Sequence, residues 1–312
     1  MPVSLDQYEA TCESVLALGT FDGVHLGHQA LLKEAASQAK KIGAKSLAFA
    51  FSKPPANYLG YPKPLLISSK LKYQIIEQFV DQAIVVDFPT LASMSPEAFV
   101  EQVLHQQLKV RGVVVGSDFR FGKDRAGDVA LLQLLGRQFN FEVYKVGSVE
   151  FEGEAVSSTR IRRAIRAGEI EAATQMLGRA PLLYGRVVHG EGRGQKLGYP
   201  TANLDHTDNH IYPEQGIFAA IACLKNESFK ASVYIGTKPT FDGEAQVTEV
   251  HLLEGVFPPL YDETLHVHLI GKIRDDETFE DAETLKAQIQ NDIDKTHELL
   301  NEIQLESYCI EP

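Results

Sequence analysis

Two histidines three residues apart, His25 and His28, stand in the run Gly19-Thr20-Phe21-Asp22-Gly23-Val24-His25-Leu26-Gly27-His28. The apolar stretch Val15-Leu16-Ala17-Leu18 precedes them and a long helical pattern follows. Residues at i and i+3 share a helix face, so both imidazoles are expected to project from the first helical turn. Free backbone N–H groups and the positive end of the helix dipole favour an anion there. Two neutral donors beside such an end suit a nucleotide phosphate and require no metal. A lone His28 would merely head the apolar stripe Leu31, Leu32, Ala35, Ala39 and Ile42. The partner histidine, Gly27 and the apolar run in front favour the phosphate.

Four further clusters carry chemistry-bearing residue types. In Gly116-Ser117-Asp118-Phe119-Arg120-Phe121-Gly122-Lys123-Asp124-Arg125, two Phe alternate with cations between glycines. Such a loop suits a planar aromatic ligand held by stacking and cation–π contact, unless the Phe rings return to the core. Ser157-Ser158-Thr159-Arg160-Ile161-Arg162-Arg163 joins hydroxyls to arginines at a helix start. One hydroxyl is explained as an ordinary cap, and the set suits a polyphosphate tail. The run 189–203 holds Gly190, Gly192, Gly194 and Gly198, whose freedom fits a phosphate cradle, though glycine alone equally makes a surface turn. It lacks Gly-Lys-Ser/Thr and so is not a P-loop. Thr201 and Asn203 are hard oxygen donors able to hold Mg²⁺ with a nucleotide. Glu249 and His251 share one face of a β-prone run, where a carboxylate is either a general base or simply solvated.

The elements that must position these residues fall into two textures. Strands are expected at 15–18, 47–51, 84–86, 113–115 and 142–146, alternating with helical segments near 28–42, 69–80, 96–109 and 128–139. Such alternation argues a parallel sheet covered on both faces, with ligands beyond the carboxyl ends of its strands. A helix near 159–177 leads to Leu177-Gly178-Arg179-Ala180-Pro181, taken as the boundary between domains 1–180 and 181–312. Beyond it, short β-prone runs at 184–188, 217–223, 231–235, 247–253 and 265–270 suggest a small antiparallel barrel or sandwich. Apolar residues at helical spacing over about 281–304 close the chain with a helix.

Composition sets outer limits. At 312 residues, the length prior favours roughly two domains. No stretch approaches about 18 consecutive apolar residues, so no membrane span is expected. The N-terminus lacks the basic and apolar regions of a secretory signal. Cys12, Cys223 and Cys309 lack metal-ligand spacing and fit a reducing, cytoplasmic setting. A net charge of −12 argues against a nucleic-acid partner, so a polyanionic ligand needs a local cluster of donors.

Taken in order, these motifs resemble those of the bacterial bifunctional riboflavin kinase/FAD synthetases over nearly the whole chain. Gly19–His28, Asp118–Gly122 and Ser157–Arg162 resemble the FMN adenylyltransferase module, within the wider His-x-Gly-His nucleotidyltransferases. The runs 190–203, 235–241 and 249–251 resemble the riboflavin kinase module. The resemblance implies an α/β nucleotidyltransferase-like domain, with a Rossmann-like parallel sheet, then a small antiparallel β-barrel with a terminal helix. It implies two ATP-dependent steps, riboflavin to FMN and FMN to FAD plus pyrophosphate. In the first half it assigns Gly19, Phe21, His25, His28, Ser158, Thr159 and Arg162 to ATP, and Asp118, Phe119, Arg120, Phe121 and Arg125 to the flavin. In the second half it makes Glu249 the base and gives ATP and Mg²⁺ to the glycine run with Thr201 and Asn203. Arg274 falls at a family position near the flavin.

Three departures accompany the match. Ser52-Lys53-Pro54-Pro55 stands where the family has an acidic residue and then Pro-His-Pro. The run 254–262 differs after His251, with Asp262 in place of a glycine, and Phe218 replaces a common Tyr. Two rival readings follow: a single-activity FMN adenylyltransferase whose barrel only binds flavin, or a non-catalytic flavin or nucleotide sensor. Retention of Thr201, Asn203 and Glu249 speaks against the first, and retention of His25, His28, Ser158, Thr159 and Arg162 against the second.

Overall fold

The computed structural model of the chain describes residues 2–305 and Tyr308, apart from Glu191, 206–208, Asn226, 241–242 and 255–259. Side chains at Arg193, Lys196, 238–240 and 243–245 are likewise outside the description. The chain divides into two compact units, Met1–Ser158 and Thr159–Pro312.

In the first unit, six strands form one parallel sheet: β1 (Val3–Ser4), β2 (Ser14–Gly19), β3 (Lys45–Phe51), β4 (Gln82–Val86), β5 (Val110–Gly116) and β6 (Glu142–Val146). Their order is β1-β4-β3-β2-β5-β6. Alternate residues serve opposite faces, because side chains on a strand have period two. Leu16, Leu18, Leu47, Phe49, Ile84, Val113 and Val115 pack with Val100, Leu104 and Leu132 on one face. Val15, Ala17, Ala48, Ala50, Ala83 and Val114 pack on the other, with residues of α1 (Leu26–Ile42) and α2 (Ser69–Glu77). From β2 the chain proceeds outward through β3 to β4, then returns to β5 on the other side of β2. The sheet therefore reverses direction between β2 and β5, the place where doubly wound sheets open a crevice at their carboxyl ends. The His run follows β2 and the Phe-Arg loop follows β5, so both border that crevice.

The expected strands and helical segments of this half are present, that near 96–109 as the short α-helical turn Pro96–Ala98 running into a π-helix over Phe99–Gln107. The helix expected near 159–177 is two, Ser158–Arg166 and Ile170–Leu177, interrupted at Gly168 with φ 74°. Ile170 belongs to the core of the second unit, so the compact division falls before these helices.

The second unit closes a six-stranded antiparallel barrel, which settles the choice between barrel and sandwich. Its strands are β7 (Leu182–Val188), β8 (Ala202–Asp205), β9 (Gly216–Leu224), β10 (Glu227–Thr240), β11 (Gly243–Leu252) and β12 (Thr264–Arg274). They run β7-β8-β11-β10-β9-β12, with β12 pairing back to β7. β9 is buried on both faces, which explains its unbroken apolar run. Phe218, Ala220, Ala222 and Leu224 point into the barrel, while Ala219, Ile221 and Cys223 pack with Leu300 just beyond the terminal helix Ala282–Leu299. β8 is the strand without a sequence expectation, since Ala202-Asn203-Leu204-Asp205 lies inside the glycine-rich run. Cys12 is an exposed free thiol and Cys223 is disulfide-bonded, so the cysteines do not by themselves argue for a reducing setting.

Candidate functional site

The His turn is built by backbone that most residues avoid. Phe21, Gly23 and Val24 all have positive φ, at 51°, 82° and 41°. For the β-branched Val24 this is strain, of the kind that accumulates at working sites. The turn is held by Val24 N–H donating to Phe21 O (3.2 Å), Gln29 Nε2 to Val24 O (3.0 Å) and Leu66 N–H to the Asp22 carboxylate (3.2 Å). Phe21 is fully buried with its ring beside Gly19 and His28, so it supports the turn from beneath.

His25 is the N-cap of α1 rather than part of its first turn. Its Nδ1 accepts the His28 backbone N–H at 3.4 Å. Nδ1 is therefore unprotonated in the neutral ring and Nε2 carries the hydrogen. The two imidazoles stack, with centroids 3.7 Å apart and planes at 18°. Gly27 permits this fold, because a Cβ there would stand 3.2 Å from the His25 ring. Ser158 joins the same turn, its hydroxyl donating to Asp22 O at 2.9 Å. Thr159 and Arg162 follow in the helix that Ser158 begins, Thr159 exposed and Arg162 buried.

Past β5 the chain makes a small antiparallel ribbon, Arg120–Phe121 against Gly127–Asp128. Phe121 is 7 % exposed, packs with Phe99 and lies under Gly127, while Phe119 stacks on it at 5.8 Å. The rings thus lean toward the core, and Asp118, Arg120 and Arg125 are among the exposed members of the loop, with Ser117, Lys123 and Asp124. Arg120 pairs with Asp128 at 3.6 Å.

Two features of this rim escaped the sequence reading. Lys72 is 5 % exposed, and its ammonium donates to Phe51 O at 2.5 Å, at the carboxyl end of β3. Burial lowers its pKa to about 8, although the Asp22 carboxylate favours the charged form. The legible signal was a lysine sharing a helix face with Ile75 and Ile76. Ser52, at the first departure from the family pattern, donates to the Asp87 carboxylate at the end of β4 and lies 3.2 Å from the Tyr58 hydroxyl. A carboxylate thus reaches this strand end from a neighbouring strand.

In the barrel, Thr201 Oγ1 donates to Glu249 Oε2 at 2.8 Å. Glu249 lies opposite Asn203 of β8 on one side and Tyr234 of β10 on the other. Val250 and Leu252 fill the barrel, so Glu249 and His251 occupy the other face, as their alternation predicts. His251 Nδ1 contacts Pro200 O at 2.7 Å, bracing the chain that leads to Thr201. Gly190 is required where it stands, since a Cβ would fall 2.2 Å from the Asn203 amide. Gly192 and Gly198, with φ 67° and 93°, bound the short helix Arg193–Leu197, and a Cβ at Gly194 would strike Tyr199 O at 2.4 Å. Arg274 lies at the end of β12 and is gripped by Asp292, with Nε 3.0 Å from both carboxylate oxygens and Nη2 2.9 Å from Oδ2. Of the departing run 254–262, residues 255–259 lie outside the description. Within the rest, Tyr261 stacks on His189 at 3.9 Å and Asp262 pairs with Arg186 at 2.8 Å. No helix among the described residues is long and apolar enough to cross a membrane.

Known proteins share this arrangement. The FAD synthetase family model matches residues 7–160, and the riboflavin kinase family model matches residues 177–300. A bifunctional riboflavin kinase/FMN adenylyltransferase of Buchnera aphidicola subsp. Schizaphis graminum is 36 % identical over 297 residues, covering 92 % of this chain and 94 % of that protein. The protein of the same description from Escherichia coli K12 is 34 % identical over 284 residues, covering 89 % and 90 %. A crystal structure described as a macrolide-efflux protein from Streptococcus pneumoniae superposes with TM-score 0.85 at 30 % identity, over 95 % of this chain and 98 % of that one. Two family models side by side and relatives matched almost end to end agree: the chain belongs to the bifunctional riboflavin kinase/FMN adenylyltransferases.

Proposed function

We propose that this chain makes flavin cofactors in two steps, each with its own set of residues. Riboflavin and ATP give FMN and ADP, and FMN and a second ATP give FAD and pyrophosphate. The hydrogen bond from Thr201 to Glu249 carries the kinase half. It occupies Oε2 and leaves Oε1 to accept the proton of the riboflavin 5′-hydroxyl as that oxygen attacks the γ-phosphate. Thr201 and Asn203 fit Mg²⁺, since they offer neutral oxygens beside a carboxylate and this ion takes few protein ligands alongside nucleotide phosphates. Bound there, the ion would neutralise phosphate charge. Gly190, Gly192, Gly194 and Gly198 line the phosphate approach, and Arg274 serves the flavin side.

For adenylylation, His25 and His28 donate to the oxygens of the α-phosphate as the FMN phosphate attacks it, with Gly19 and Phe21 shaping the turn that holds them. Ser158, Thr159 and Arg162 hold the departing pyrophosphate. Asp118, Phe119, Arg120, Phe121 and Arg125 bound the flavin side, the exposed cations and carboxylate facing the ligand. We assign the activities to residues 1–180 and 181–312, and place the protein in the cytoplasm with its substrates.

Separating the products of riboflavin, ATP and Mg²⁺, beside a reaction started from FMN, tests the proposal. Glu249→Gln is expected to lower FMN formation about 10²- to 10⁴-fold while sparing FAD from supplied FMN. His28→Ala is expected to do the reverse, by about 10²- to 10³-fold. Equal loss of both steps by either folded variant would refute the two-site assignment.

A further inference from the structure

The buried lysine of the first unit has no place in the chemistry above. Lys72 sits on the apolar side of α2, with Tyr73, Ile75 and Ile76 also buried. Lys is almost never fully buried unless paired, and its ammonium is strongly hydrated when exposed. Here the ammonium instead reaches across 21 positions of sequence to Phe51 O, the final carbonyl of β3. It also lies over the Tyr73 ring at 4.9 Å and is attracted by the Asp22 carboxylate. Asp22 is a hub of the His turn: its carboxylate accepts the Leu66 N–H, and its carbonyl accepts the Ser158 hydroxyl. Lys72 thus fastens α2 to the end of β3, while the Leu66 N–H just ahead of α2 holds the Asp22 carboxylate whose field acts on the ammonium.

We propose that Lys72 is a positioning residue of the adenylyltransferase, whose buried ammonium, anchored on Phe51 O, holds Asp22 and through it the strained turn carrying His25 and His28. The inference rests on the adenylyltransferase reading of that turn. Removing the charge lets Asp22 and the turn relax, which displaces donors that act on the transition state. A misplacement of about 1 Å at such donors is worth on the order of 10²-fold in rate. The loss appears in kcat more than in KM, because the substrates' remaining contacts are untouched.

The charged and titratable groups around Lys72 are few. Among the described residues, Asp22 acts on it electrostatically from the His turn and the Tyr73 ring lies beneath it, with Asp87 and Tyr58 acting on Tyr73. The Tyr73 hydroxyl is pushed up to about 12 by burial and by Asp87 and Tyr58, so it stays neutral through the working range. Lys72 is the group of this set that loses charge near pH 8.

The test uses the full chain and three proteins: wild type, Lys72→Met and Lys72→Arg. FAD formation from FMN and ATP is followed from pH 6.5 to 9.5, with FMN formation from riboflavin on the same preparation as the internal control. Wild-type FAD formation is expected to fall as the pH passes about 8, as Lys72 deprotonates. Lys72→Met should lose on the order of 10²-fold in kcat, with KM within about threefold, and show no such limb. Lys72→Arg should recover activity over Lys72→Met and keep it at pH 9.5, because guanidinium stays charged. The kinase step should be unchanged in both. A Lys72→Met protein with wild-type kcat and an unchanged alkaline limb overturns the inference. So does equal loss in Lys72→Met and Lys72→Arg with identical pH profiles, which would mark a purely steric role. If Lys72→Met proves insoluble, the alkaline limb of Lys72→Arg against wild type decides alone. A wild type that makes no FAD from FMN at any pH refutes the adenylyltransferase reading itself, and is seen before any variant is compared.

Discussion

His25 shows how one backbone group sets the chemistry of a side chain. The His28 N–H donates to His25 Nδ1, which caps the helix and in the same act leaves the proton on Nε2. A capping role and the proposed ligand role are therefore compatible, because the cap uses Nδ1 alone. Gly27 is what lets the ring lie back over the turn. Gly27→Ala must push the His25 ring by a few tenths of an ångström, and is expected to lower FAD formation more than tenfold while leaving FMN formation intact. Product analysis of the two half-reactions measures this directly. Lys72 adds a thermodynamic signature at the same scale. Its pKa is lowered from 10.5 to about 8 by burial, so between these values the unfolded chain holds the extra proton. Stability of the first unit should therefore rise as pH increases from about 8 toward 10.5, and Lys72→Met should abolish that rise in denaturation curves.

Individual elements carry their own burdens. Arg274 ends β12, and its guanidinium binds a carboxylate of the terminal helix that is only 4 % exposed. Such a buried pair is weak evidence of net stability, yet breaking it strands a charge. Arg274→Ala is expected to cost about 3–5 kcal/mol in the second unit, read by chemical denaturation. Restoring neutrality with Asp292→Asn in the same chain should recover part of that loss, and a flavin-contact role alone would not produce such recovery. His268, also on β12, is held near pKa 4, below its usual 6.5, by burial and by the nearby charges of His266 and Arg179. The folded state thus favours the neutral ring. Stability from this group is present above about 6.5 and is lost as pH falls toward 4, so acid unfolding of the barrel should be less steep in His268→Gln.

The whole molecule sets two phosphate chemistries on two unrelated folds. A parallel sheet with a reversal in strand order offers a crevice to the proposed adenylylation, and a closed barrel carries Glu249, bonded to Thr201, for the proposed phosphorylation. Each activity is therefore expected to be disabled separately. A mixture of Glu249→Gln and His28→Ala proteins, given riboflavin and ATP, is expected to produce FMN first and FAD after a lag, because FMN released by one copy is used by the other. Time-resolved product separation checks this, and absence of FAD from the mixture would show that FMN does not leave its site.

Local periodicity by itself determines much of this protein. The strand 15–18, the helix behind His28, the alternation that places Glu249 beside His251, and the change of texture after 181 all depend on neighbours a few residues away. Near neighbours are what sequence spacing encodes. What only the tertiary structure decided are the pairings made when the chain returns on itself. Thr201 meets Glu249 across 48 positions, Lys72 meets Phe51 across 21, Ser52 finds Asp87 across 35, and Arg274 finds Asp292 across 18. Strand β8 stayed hidden for the same reason: Ala202-Asn203-Leu204-Asp205 has little strand character of its own and is fixed by β7 and β11 on either side. A buried polar group must find a partner wherever the fold supplies one, and that partner is set by packing rather than by sequence distance.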